Sequence, residues 1–250
     1  MTFTRSDLFL VTGASSGIGC VVAHSLLEEG GSVIGVGRDE QRLLSVHSDY
    51  YKRGYFHAEC RDLSTDIDTL QKWIIDLAKK YGRIKGLVLC AGVRPTKPLK
   101  AISYDASIRV FNINYFSNIQ IIKGFSSKLV SSDTDSSIVV ISSIVAQRPQ
   151  MGLCDYAGSK AALSNSVKTL ALELAPRIRI NAILPGIVDT EMIRQWKGQE
   201  YDSYREQIDK TYPLGIGRPE DIANACVFLL SQKSRWITGS EIVIDGGASI

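Results

Sequence analysis

The chain has 250 residues, 44% of them hydrophobic and 22% charged, with a formal net charge of +3 at pH 7. That length suits one α/β domain with a large core, and so small a charge, without a basic run, argues against nucleic acid or a membrane surface as partner. Five scattered cysteines, an odd number, argue for reduced thiols in a cytoplasmic setting and against a disulfide frame.

Metal binding is not expected either. The three histidines, His24, His47 and His57, pair with no second ligand at helical or loop spacing. No apolar run is long enough to span a bilayer, and the N-terminus leads straight into a strand rather than a signal peptide.

In chain order, the first strand is predicted at 8–13, "LFLVTG", followed by the loop "TGASSGIG" and the helix "IGCVVAHSLLEEG". Strands follow at 32–37, 55–60, 86–92, 137–143, 178–186 and 241–247. They are short and mostly continuously apolar, the pattern of parallel strands covered on both faces. Helices lie between them, one with an apolar stripe of Ile67, Leu70, Ile74, Leu77 and Ala78, another around 104–127, and one from Tyr156 to Leu174. Such alternation predicts βαβ units and a single doubly wound domain over 1–250, with a parallel seven-stranded sheet between two helical layers. Ligands of such sheets bind beyond the carboxyl ends of the strands.

The first βα junction carries Gly13, Gly17 and Gly19, with Ser15, Ser16 and Ile18 between them. Glycines let backbone approach a pyrophosphate, and free N–H groups at the helix start bind its charge. A lone glycine pattern is weak evidence, because strand–helix turns use glycine anyway; its place in a βαβ unit strengthens it. Further along, "DYAGSKAAL" sets Tyr156 and Lys160 one helical turn apart on the same face. A cation close to a phenol favours the phenolate and draws its pKa down from about 10. The plain alternative is an exposed Tyr and a solvated Lys.

Taken together, "TGASSGIG", "FNINYFS", "ISSIVAQ", "YAGSK" and "LPGIVDTEM" resemble the short-chain dehydrogenase/reductase family, nearly from end to end, in the branch that includes 3-oxoacyl-acyl-carrier-protein reductases. The resemblance implies a Rossmann fold and an NAD(P)-dependent interconversion of a carbonyl and a secondary alcohol. Tyr156 would be the general acid in reduction, Lys160 would lower its pKa and hold the nicotinamide ribose, and Ser143 would hold the carbonyl oxygen. Asn114 would hold a water connecting Lys160 to solvent. Ser142 and Asn112 remain alternatives for the last two. The coenzyme would also touch Ala91, Gly92, Pro185, Gly186, Val188 and Thr190, with Asp62 and Leu63 on the adenine side, where Asp62 could also cap the next helix.

After the second strand stand Gly37, Arg38 and Asp39. A guanidinium there can pair with a 2′-phosphate, whereas an acid at the strand end would repel it. The expectation is NADP(H) over NAD(H), with Asp39 serving as a helix cap. One departure from the family pattern is Cys90, where an Asn is usual, and it is expected to affect rigidity more than chemistry. A substrate lid is expected at about 188–217, carrying Trp196, Tyr201, Tyr204 and Tyr212, with Arg94, Gln147, Arg148, Met151 and Cys154 as candidate pocket walls. By resemblance the chain would assemble as a homotetramer or homodimer. An NAD-dependent sugar or polyol dehydrogenase and a non-catalytic dinucleotide-binding regulator are the alternatives.

Overall fold

Leu8, Phe9, Leu10 and Val11 are all 5% exposed or less, and neighbours along the strand point to opposite sides. Leu8 and Leu10 join one hydrophobic layer and Phe9 and Val11 the other. A strand buried on both faces has no polar side to alternate with, which is why its sequence reads as a continuous apolar run. The computed structural model describes residues 1–132, 134–194, 206, 208 and 210–250, the side chains of Met192 and Arg194 excepted.

Seven strands form one parallel sheet: β1 (Leu8–Thr12), β2 (Ser32–Gly37), β3 (Phe56–Cys60), β4 (Gly86–Leu89), β5 (Ser136–Ile141), β6 (Ile178–Pro185) and β7 (Glu241–Ile244). Their order is β3-β2-β1-β4-β5-β6-β7, so the chain winds outward from β1 in one direction and then from β4 in the other. The reversal places a crevice beyond the ends of β1 and β4. Among the described residues the helices are α1 (Gly17–Glu28), α2 (Glu40–Val46), α3 (Ser48–Lys52), α4 (Leu70–Tyr81), α5 (Tyr104–Phe111), α6 (Ser117–Phe125), α7 (Cys154–Leu174), α8 (Glu191–Arg194) and α9 (Pro219–Leu230). Helices α1 and α9 supply Val22, Leu26 and Leu229 to one layer, while α4, α6 and α7 supply Ile74, Ile121 and Val167 to the other. The fold is the expected doubly wound Rossmann architecture.

Two expectations are corrected in detail. The fourth strand stops at Leu89 rather than 92, because the N–H groups of Cys90 and Ala91 leave the ladder and donate to Thr12 Oγ1 at 3.0 and 3.1 Å. The helix expected around 104–127 runs from Tyr104 to Phe125 and is interrupted by a π-helical turn at Asn112–Phe116. Such turns insert one residue and re-aim the side chains around it.

Candidate active site

The floor of the crevice is the loop after β1. Gly13 has φ of 71°, a conformation only glycine adopts without strain, and a Cβ there would stand 3.2 Å from the Ala91 backbone. At Gly19 a Cβ would lie 2.4 Å from the Gly13 carbonyl oxygen, so this turn of α1 can press against the loop only as glycine. Ser16 is extended at the N-cap of α1 and makes no side-chain cap, and the first turn holds no acid. The helix therefore presents its first N–H groups uncapped, the condition for receiving an anion.

Above the loop is a cavity of about 230 Å³. The loop contributes Gly13, Ser16, Gly17, Ile18 and Gly19 to it, and the end of β4 contributes Cys90, Ala91 and Gly92. From the other side come Ser143, Tyr156 and Lys160, with Pro185, Gly186, Val188 and Thr190 after β6.

Tyr156 and Lys160 sit in the first turns of α7, Lys160 with its Nζ 5.9 Å from the centroid of the Tyr156 ring. Lys160 is 4% exposed and its ammonium donates to the Ile141 carbonyl at 2.7 Å. Both serines at the end of β5 border the cavity, but their hydroxyls differ in what they bond. Ser142 turns into the protein, donating to the Lys160 carbonyl at 3.1 Å and sharing a hydrogen bond with Ser164 Oγ at 2.7 Å. Ser143 borders the cavity beside Tyr156, and its Oγ accepts the Val145 N–H at 3.4 Å.

Asn114 lies in the π-helical turn and is fully buried. Its Oδ1 accepts the Val93 N–H at 2.9 Å, and its Nδ2 donates to the Val93 carbonyl and to Ser159 Oγ, both at 3.0 Å. Ser159 Oγ in turn donates to the Tyr156 carbonyl at 2.8 Å. The amide thus locks the loop after β4 to the start of α7. A Cβ on Gly92 would stand 3.0 Å from Asn114 Oδ1 and 3.6 Å from Lys160 Nζ, so the bare glycine keeps a gap open between them.

Electrostatics depart from the sequence expectation at one point. Burial raises the Tyr156 phenol above its ordinary value, opposed by the Ser143 hydroxyl and the nearby Arg94 charge; Lys160 is not among the groups that lower it. The reason is geometric: the ammonium lies over the ring and points to Ile141, not to the hydroxyl. Burial also brings Lys160 down to about 8. Cys90 is pushed up to about 12 by burial, against the pull of Lys160, so it is a thiol at neutral pH.

The remaining candidates lie outside the cavity. Ser15 is at the back of the loop, its Oγ 3.2 Å from where a Cβ on Gly37 would be. Arg38 is exposed at the end of β2, and its charge helps hold Asp62 below the usual carboxylate range, after the larger effect of Ser64. Asp39 caps α2, accepting the Arg42 N–H at 2.9 Å. Asp62 does not cap the next helix: it closes a local turn, its Oδ1 accepting from Ser64 N and Oγ at 2.8 and 2.6 Å. Leu63 is 4% exposed and packs into the core.

Of the pocket-wall candidates only Arg94 lines the cavity. Gln147 bonds Glu241 at 2.5 Å, Arg148 bonds the Ala248 carbonyl at 3.0 Å, Met151 is wholly exposed and Cys154 is exposed. Gln150, Ile193 and Tyr212 line it instead. Tyr212 also accepts the Ile187 N–H at 3.3 Å, while Trp196, Tyr201 and Tyr204 lie outside the described residues. Thr12, whose hydroxyl fixes the end of β4, was missed because a threonine ending a strand carries no signal of its own.

Residues 13–249 match the family model described as Enoyl-(Acyl carrier protein) reductase. A structure titled short-chain dehydrogenase/reductase, glucose/ribitol dehydrogenase, from Brucella melitensis superposes with a TM-score of 0.91 at 26% identity, covering 100% of both chains. The chain belongs to the short-chain dehydrogenase/reductase family. Within that family it is 34% identical over 247 residues to 3-oxoacyl-(acyl-carrier-protein) reductase from Thermotoga maritima, covering 96% of this chain and 97% of the relative. It also superposes, with a TM-score of 0.89 at 25% identity and 100% coverage of both chains, on a blue fluorescent protein from a metagenomic library in complex with NADPH. This short-chain dehydrogenase/reductase is an NAD(P)-dependent oxidoreductase acting on carbonyl and alcohol groups.

Proposed function

We propose that the chain is an NADPH-dependent carbonyl reductase in which Ser143, Tyr156 and Lys160 act together at one end of the cavity. The observation that carries this reading is their convergence: Ser143, Tyr156 and Lys160 line one cavity above the loop after β1, and the Lys160 ammonium lies 5.9 Å from the centre of the Tyr156 ring.

The residues fit a dinucleotide. Side-chain-free backbone at Gly13 and Gly19 and uncapped N–H groups of α1 suit a pyrophosphate, and Lys160 suits a ribose diol. The nicotinamide supplies the hydride. Ser143 holds the carbonyl oxygen of the substrate as a neutral donor. Tyr156 delivers the proton to that oxygen, and the phenol that burial keeps protonated is the form reduction requires. Asn114 keeps a water in the gap beside Gly92, from which Lys160 and then Tyr156 are reprotonated.

The preference for NADP(H) rests on Arg38 at the end of β2 and on Asp39 being engaged as a cap rather than facing the ribose. The substrate is a small carbonyl compound, with Arg94 at the cavity wall suited to a carboxylate or phosphate on it. Consumption of NADPH and NADH against a panel of acyl thioesters, sugars, polyols and simple ketones tests the reading. Coenzyme binding without turnover of any carbonyl would instead favour a regulator.

Residues 188–217 are proposed as the lid, its feet joined by a bridge between Val188 and Gly217. A homotetramer is proposed from the apolar side chains exposed on the helices and near the C-terminus, Phe116, Leu172 and Trp236 among them. The five free thiols support a cytoplasmic setting.

A further inference from the structure

Two side chains from α2 and its C-terminal end reach behind the phosphate loop and take consecutive carbonyls of it. His47 Nε2 lies 3.1 Å from the Ala14 carbonyl, and Arg42 Nε donates to the Ser15 carbonyl at 2.9 Å. Neither residue lines the 230 Å³ cavity, although Arg42 borders a second pocket together with Ser15, Ser16 and Gly17. In a planar trans peptide the C=O and the following N–H point in opposite directions. Fixing the Ala14 and Ser15 carbonyls toward α2 therefore fixes the N–H groups of Ser15 and Ser16 away from it, and Ser16 itself borders the cavity. Neither N–H has an acceptor among the described residues, whereas the Ala14 N–H is already used by the Val36 carbonyl at 3.1 Å.

Both clamps are themselves held. His47 is 1% exposed and packs at a tilt against Phe56, with ring centroids 4.3 Å apart. Its Nδ1 is buried without a partner, so the proton resides on Nε2, where it can be donated to Ala14. Burial holds the ring neutral, consistent with that tautomer. The far arm of the Arg42 guanidinium is bound by Glu191 at the start of α8, which keeps Nε on Ser15.

We infer that Arg42 and His47 are positioning residues for the coenzyme: acting through the Ser15 and Ala14 carbonyls, they aim two backbone N–H groups at its phosphates. This rests on the loop being the dinucleotide site proposed above. Because those phosphates are common to both coenzymes, the clamp serves NADPH and NADH equally, unlike Arg38.

The test is the equilibrium Kd of NADPH and of NADH, by fluorescence titration, for wild type, Arg42→Met and His47→Phe, alongside steady-state kcat and coenzyme KM. Arg42→Met should raise both Kd values by a similar ~3- to 10-fold, about the worth of one net hydrogen bond, with the loss in KM rather than kcat. His47→Phe keeps a ring against Phe56 and should act the same way. Should it fail to fold, Arg42→Met, whose side chain is 41% exposed, carries the test alone. Unchanged Kd values for both coenzymes in Arg42→Met would overturn the inference. So would a loss confined to NADPH, which would make Arg42 a direct 2′-phosphate ligand. A wild type that binds neither coenzyme would refute the site itself, and the inference with it.

Discussion

Lys160 holds its ammonium on the Ile141 carbonyl at 2.7 Å while lying 5.9 Å from the centre of the Tyr156 ring. The cation is therefore anchored by the end of β5 and not by the phenol, and burial, not the tyrosine, governs its charge. A lysine at about 8 binds its proton more weakly folded than unfolded. Below about pH 8 this disfavours the folded state, and the penalty fades as pH rises toward the ordinary 10.5.

Lys160→Met should consequently stabilise the protein while destroying its function. The shift corresponds to about 3 kcal/mol at neutral pH, from which the unpaired Ile141 carbonyl subtracts about 1–2. The remaining gain predicts a melting temperature higher by roughly 2–6 °C at pH 7, shrinking above pH 9, with weakened coenzyme binding. Calorimetry across pH checks it; a lower melting temperature at pH 7 would count against the buried charge.

The two serines at the end of β5 should part company on mutation. Ser142→Ala leaves the Lys160 carbonyl and the Ser164 hydroxyl short of a buried partner, a cost of about 1–3 kcal/mol that lowers the melting temperature. Ser143→Ala removes a hydroxyl bordering the cavity and should lower kcat by about 10²- to 10³-fold, while its only stability loss is the long 3.4 Å cap on the Val145 N–H. Thermal melts and kinetics on the pair suffice, and the reversed pattern would reassign the substrate-holding serine to Ser142.

Arg38→Ala should raise the KM for NADPH by about ten- to a hundredfold and leave NADH almost unchanged, the worth of a charged hydrogen bond of ~1.5–3 kcal/mol. The effect should shrink with added salt, because Arg38 is exposed. Equal KM values for NADPH in variant and wild type would hand the preference to Asp39 or to the Ser15–Ser16 turn.

Thiol labelling of the native protein at neutral pH should modify Cys60 and Cys154 first, since both are exposed. Cys90, raised to about 12, and the buried Cys226, raised well above the usual thiol value by burial, should lag far behind. Mass spectrometry of partial digests reads the order. Rapid labelling of Cys90 would mean that it carries thiolate character and a chemical role beyond packing.

The sheet was legible because a strand covered on both faces must be apolar at every position, as Leu8 to Val11 are. The glycine loop after β1 and the Tyr156–Lys160 pair were legible because each is local: glycines at fixed offsets, or two side chains one turn apart. What stayed hidden depends on contacts between distant segments. Arg42 and His47 read as an ordinary helix and its end, and only the packing of α2 behind the loop gives them carbonyls to hold. The π-helical turn at Asn112–Phe116 leaves no periodic trace over five residues. Gln147 and Arg148 were misplaced because the sequence does not say which way a loop turns; here it turns toward Glu241 and Ala248.

The most direct test of the whole account is Tyr156→Phe, followed in kcat and in coenzyme Kd together. The phenol is assigned only to the reacting oxygen, and the ring that shields Lys160 is kept. The account predicts a fall in kcat of about 10³-fold or more, a barrier increase of at least ~4 kcal/mol, with coenzyme Kd within about twofold of wild type. A variant that kept more than a tenth of wild-type kcat, a barrier change below ~1.4 kcal/mol, would contradict Tyr156 as the acid.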